Sequence, residues 1–174
     1  KQVFLDFDSD STADEHAYTL EERQAIQARL AEDFGPFDFA FSHSLPDSSH
    51  SEPEGGFIRI VFNGSTGFGP GGRADQLGWR ILDLSGGVVV DVNGFFGTAR
   101  NQLPPTSENF VALSATIAGH ELGHQYGLRH HDALGAIGAG IFPSLDPARF
   151  LPDYPAELRN AVDTRNNLLA SPAS

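Results

Sequence analysis

Four of the chain's seven histidines lie within one stretch, "TIAGHELGHQYGLRHHD", which runs from Thr116 to Asp132. His120 and His124 are four residues apart, so on a helix their side chains share one face, about 6 Å apart along the axis. Two imidazoles at this spacing can bind one metal ion, and Glu121 can reach a water molecule on that ion without being a ligand. In this H-E-x-x-H arrangement Zn2+ acidifies the water and the glutamate serves as general base.

A catalytic zinc ion needs three protein ligands and one open position. Gly127 permits a left-handed conformation, which would end the helix and turn the chain sharply. That turn would bring His130 back toward the metal, and we predict His130 as the third ligand. Five specified positions then match at fixed spacing, which argues against a chance pair of surface histidines.

The string "HELGHQYGLRH" resembles the H-E-x-x-H-x-x-G-x-x-H signature of the metzincin clan of zinc metalloproteases. The resemblance implies a zinc metalloendopeptidase in which Glu121 takes a proton from the attacking water and passes it to the leaving amine. An alternative is a zinc-bearing module that binds peptides without cleaving them, but such a module has no need of Glu121. A gluzincin would take its third ligand from a later glutamate, for which Glu157 is the only candidate, and His130 at the expected spacing argues against it.

The segments around the motif indicate a mixed α/β fold. "TLEERQAIQARLAEDF" has Thr19 as N-cap, with Glu22 three residues later as its capping-box partner, and predicts a helix. Asn63 to Gly78 is rich in glycine without periodicity and predicts a surface loop. The remaining predicted elements are strands at Lys1 to Asp8, Phe37 to Ser42, Phe57 to Phe62 and Val88 to Val92, and helices at Asn109 to Gly127 and Pro155 to Asn167.

The resemblance also implies an architecture. Metzincins have a twisted mixed sheet with an antiparallel edge strand, a backing helix, the active-site helix and a small irregular C-terminal subdomain. We therefore expect one catalytic domain, with an N-terminal subdomain at residues 1–127 and a C-terminal subdomain at 128–174. Glycines flank Val88 to Val92, so we assign this strand to the edge, where Val88, Val89 and Val90 would bind extended substrate through their backbone.

Metzincins carry a methionine turn beneath the zinc ligands, and this chain contains no methionine. Leu169 is the best positional match, and an apolar exchange of this size usually costs less than about 1.5 kcal/mol. The turn at Ile141 and Phe142 is the alternative. The residue after the third ligand is His131, which leaves the family within the clan open and is either a second-shell group or a solvated loop residue.

Composition limits the function further. A chain of 174 residues suits one domain, and its formal net charge of -12 argues against nucleic acid as a partner. No apolar run approaches 18 residues, so we expect no membrane insertion. We expect a monomer acting on protein or peptide substrate; the absence of cysteine allows an intracellular or a secreted protein, and we favour secretion. The N-terminal carboxylates fit Ca2+ or a solvated acidic turn, and they are Asp6, Asp8, Asp10 and Asp14.

Overall fold

The computed structural model describes residues 1–45, 56–75, 86–100 and 102–128. These residues form a mixed α/β structure, as the sequence predicted, and it contains a five-stranded sheet and two helices. The strands are β1 (Gln2–Asp6), β2 (Ala40–Ser42), β3 (Ile58–Phe62), β4 (Gly71–Ala74) and β5 (Gly86–Asp91). The helices are α1 (Leu20–Asp33) and α2 (Ser107–Gln125), and a 3-10 turn covers Asn93–Phe95.

The sheet has the strand order β2-β1-β3-β5-β4. β1 is parallel to both β2 and β3, and β3 is parallel to β5, whereas β4 runs antiparallel to β5. The described part of the chain therefore has β2 at one edge of the sheet and a short antiparallel β4 at the other.

This order corrects our assignment of the edge strand. Val88 to Val90 lie in β5, which is paired on both sides, so their backbone groups are used within the sheet. The antiparallel edge strand is Gly71–Ala74, inside the segment predicted to be a surface loop. Flanking glycines misled the assignment, since glycine weakens a strand locally without determining its place in the sheet.

Two polar caps fix where the helices begin. Thr19 Oγ1 accepts a hydrogen bond from the Glu22 amide at 3.2 Å, and the Glu22 carboxylate accepts one from the Thr19 amide at 2.9 Å. This reciprocal capping box was predicted from the sequence and is confirmed. Thr106 caps α2 by accepting from the amide of Asn109 at 3.3 Å.

The core lies between the sheet and the two helices. Register places Leu5, Ile60 and Val88 side by side across the three central strands, and Ala74 of β4 continues that row. All four are buried, together with Leu122 of α2. The helices pack against each other, and α2 also contacts β4 and β5, so the edge strand lies directly over the helix that carries the histidines. No helix within the described ranges is both long and apolar enough to cross a membrane.

Candidate metal centre

His120 and His124 lie in the last two turns of α2, and their rings converge. The two Nε2 atoms are 3.0 Å apart, and the ring planes are nearly perpendicular, at 87°. Two nitrogens on one tetrahedral zinc ion, each about 2.0–2.1 Å from the metal, would be separated by about 3.3 Å. The two nitrogens are at hydrogen-bond distance and are of the donor type that zinc prefers, so a small separation of the rings would let both bind one zinc ion.

The end of α2 is organised by Gly127, whose φ of 83° lies in the left-handed region. The Gly127 amide donates to the carbonyl of His124 at 2.8 Å, and the Leu128 amide donates to the carbonyl of Gly123 at 3.0 Å. These two bonds make a Schellman motif, which ends the helix and reverses the chain. The conformation expected of Gly127 is thus present at the end of the helix.

The same turn orients the second histidine. The Leu128 carbonyl accepts a hydrogen bond from His124 Nδ1 at 2.7 Å. With its proton on Nδ1, the ring presents the bare nitrogen at Nε2, which is the atom that faces His120. Burial lowers the pKa of His124, while the bond to Leu128 opposes that shift. The net effect favours the neutral imidazole that a metal requires.

Glu121 lies on the adjacent face of α2 and is buried beneath the edge strand. Its Oε2 accepts a hydrogen bond from the Ala74 amide of β4 at 2.9 Å. Burial raises the pKa of Glu121 to about 7, and the Ala74 bond opposes that rise. A carboxyl group with a pKa near neutrality can both accept and release a proton under ordinary conditions.

Several residues predicted for the site lie outside the described residues. They are His130, His131, Glu157, the alternative turn at Ile141 and Phe142, and Leu169. The portion of the chain that is described brings His120 and His124 together and contains no group of three or more His, Cys, Asp or Glu side chains suited to a metal. A third ligand at His130 therefore stays a prediction.

Sequence reasoning missed the contribution of β4. Gly72 and Ala74 lie directly against α2, where Ala74 binds the carboxylate of Glu121. The segment "GGRA" is short, rich in glycine and poor in residues typical of strands, so nothing in its pattern separates it from a loop. Its pairing with β5, the next strand along the chain, reveals its role.

The N-terminal carboxylates make ion pairs. Arg59 Nε donates to Asp6 Oδ2 at 2.8 Å, and Asp6 is buried. Asp8 receives two bonds from Arg23, at 2.6 and 2.8 Å, at the surface. Two of the four carboxylates considered for Ca2+ are thus paired with arginine, and calcium binding stays a prediction.

Comparison with known proteins gives no further guide to the chemistry. No family model matches the chain, and no curated protein or solved structure is significantly similar to it. The function is therefore inferred from the H-E-x-x-H motif and from the geometry around α2.

Proposed function

We propose that the chain is a zinc-dependent endopeptidase of the metzincin type. The main support is the convergence of His120 Nε2 and His124 Nε2 to 3.0 Å on the helix that also carries Glu121. In this proposal zinc is held by these two imidazoles and by His130. When bound, the ion would polarise the carbonyl group of a peptide bond and increase the acidity of water.

The remaining chemistry belongs to the protein. Glu121 accepts the proton of the attacking water and transfers it to the nitrogen of the leaving amine, which makes it both base and acid. Its Oε2 accepts the hydrogen bond of the Ala74 amide, and we assign the transferred proton to Oε1, the other oxygen of the carboxylate. Burial under β4 shields this carboxylate from bulk water and raises the pKa of Glu121 to about 7.

Substrate binding is proposed for β4 in place of β5. The Asp75 amide donates to the carbonyl of Gly87, so Asp75 and Gly87 form a hydrogen-bonded pair. Such pairs alternate along antiparallel strands, and Gly72 and Ala74 therefore direct their N–H and C=O groups away from β5. The Ala74 N–H is taken by Glu121, so an extended peptide beside this edge would pair with the N–H and C=O of Gly72 and the C=O of Ala74, and would lie next to Glu121.

Chelation tests this function. Purified protein is incubated with a library of unstructured peptides before and after removal of divalent metal, and again after one equivalent of Zn2+ is returned. We expect internal peptide-bond cleavage that is lost on chelation and restored by zinc. Zinc bound at one per chain without cleavage of any library member would favour the peptide-binding module, and cleavage that survives chelation would exclude a metal-dependent mechanism.

A further inference from the structure

Gly72 lies in the edge strand β4, on the face of the sheet that packs against the C-terminal half of α2. Register pairs it with Val90, which is paired in turn with Phe62 of β3, and both of these side chains are fully buried. Gly72 and Ala74 are two residues apart, so a Cβ atom at either position points to the same face of the sheet. The side chain of Glu121 reaches the edge strand between these two positions.

A side chain at position 72 would force Glu121 and Ile117 to move. A Cβ atom added there would be 2.5 Å from Cγ of Glu121, 2.7 Å from its Oε1 and 2.6 Å from Cγ2 of Ile117. Distances below about 3 Å are strongly repulsive between such atoms. The Glu121 side chain therefore lies where the side chain of any other residue at position 72 would have to be.

The second contact is directional. The Ala74 amide points away from β5, as the strand register requires, and donates to Oε2 of Glu121 at 2.9 Å. A backbone donor in a paired strand moves little, so it fixes the carboxylate more firmly than an exposed side chain would. Gly72 supplies the space for this carboxylate, and Ala74 supplies the donor that orients it.

From these two contacts we infer that β4 positions the catalytic carboxylate, with Gly72 and Ala74 forming a backbone cradle for Glu121. Gly72 is then a positioning residue for the reaction, because a Cβ atom at this position would displace Glu121 from its place against the strand. This inference rests on the proposed peptidase function. It adds that the edge strand acts on the general base as well as on substrate.

The first test is Gly72→Ala, with Gly87→Ala as the matched control. The added Cβ at Gly87 meets the exposed carboxylate of Asp75, at 2.5 Å, and does not contact Glu121. A displacement of about 1 Å in a catalytic group can cost about 100-fold in rate. We expect Gly72→Ala to lower kcat by about that factor with KM and zinc content unchanged, and Gly87→Ala to retain kcat. Equal kcat for both variants would overturn the inference.

Ile117 offers a purely structural explanation for Gly72, and the double variant Gly72→Ala/Ile117→Ala separates the two. If the clash with Ile117 caused the loss, removing its side chain would restore kcat. We expect kcat to stay low, because the new Cβ still meets Glu121. Recovery of kcat in the double variant would assign Gly72 to helix contact alone and overturn the inference.

Thermal unfolding of the metal-free protein provides a readout that needs no activity. Glu121→Ala removes Cγ and Oε1, so Gly72→Ala should lower Tm less in that background than in the wild type. Equal Tm losses would show that the two residues do not interact and would overturn the cradle. If the Tm losses show this coupling but the wild-type protein cleaves no peptide, the cradle exists but the proposed peptidase function is wrong, and Gly72 then has no role in catalysis.

A second variant keeps the inference testable if Gly72→Ala does not fold. Ala74→Pro deletes the N–H that binds Glu121, and this N–H makes no bond to β5, so proline removes no sheet hydrogen bond. We expect kcat to fall with zinc content retained. Unchanged kcat in a folded Ala74→Pro variant would contradict the role of the Ala74 amide.

Discussion

His124 Nδ1 donates a hydrogen bond to the carbonyl oxygen of Leu128 at 2.7 Å, across the turn that Gly127 makes. The helix end and the orientation of the imidazole are therefore one structural unit. A change in the turn should reach the proposed metal site through this bond.

Gly127→Ala tests that connection. A non-glycine residue with left-handed φ costs roughly 1–2 kcal/mol, so we expect the free energy of unfolding to fall by about that amount. Displacing Leu128 should also weaken zinc binding by about 10- to 100-fold, the usual effect of losing an outer hydrogen-bond partner. Denaturant unfolding and competitive zinc titration measure the two effects.

Gly67→Ala is the matched control for this variant. Gly67 also has a left-handed φ, of 87°, and among the described residues an added Cβ there would contact only Arg73 Nη1, at 3.5 Å. We expect a similar stability loss and an unchanged zinc affinity. A parallel fall in zinc affinity would mean that general destabilisation, and not the turn at Leu128, controls the site.

The identity of the third ligand is tested by comparing His130→Ala with His131→Ala. Loss of a direct ligand should weaken zinc binding by more than the roughly 100-fold expected for an outer partner. We therefore expect the large effect at His130 and a small effect at His131. The reverse pattern, or a large effect of Glu157→Ala instead, would require a different ligand set.

The carboxyl group of Asp6 makes the free energy of unfolding fall as the solution becomes acidic. Burial by itself would raise the pKa of Asp6, but hydrogen bonds from Ser9, Arg59 and the Asp8 amide outweigh burial and hold the pKa below its ordinary value. The unfolded chain then binds the proton more readily, so this contribution is present above pH about 4 and is lost as pH falls through the folded-state pKa. Urea unfolding as a function of pH should show this loss.

Asp6→Asn should remove that contribution. We expect a loss of about 1–3 kcal/mol at pH 7, since Arg59 loses its charged partner, and a smaller difference from wild type in acid. Asp8→Asn is the control. The Asp8 side chain is exposed to solvent, so its ion pair with Arg23 should contribute less than about 1 kcal/mol. A pH-independent loss at Asp6 would contradict an origin in ionisation.

Local signals in the sequence predicted much of this structure. Thr19 and Glu22 specify a helix start through atoms three residues apart, and Gly127 specifies a helix end through its own φ. Neither feature depends on distant parts of the chain. The positions of His120, Glu121 and His124 on one helix were predictable for the same reason.

The edge of the sheet could not be predicted in this way. Val88 to Val90 form a short apolar run, and such a run fits an interior or an edge strand equally until its partners are known. Gly72 carries no side chain, so its importance lies in the space it leaves for Glu121. That space exists only after β4 pairs with β5 and both pack on α2.

The role of Glu121 as general base is tested by the peptide-cleavage rate of Glu121→Gln, compared with that of the wild type at one zinc per chain in both. Glutamine keeps the size of the side chain and can still accept the Ala74 hydrogen bond, but it cannot take up a proton at neutral pH. We expect zinc binding to be retained and kcat to fall by about 100-fold or more. Cleavage at the wild-type rate with zinc bound would contradict a zinc-dependent mechanism in which Glu121 is the general base.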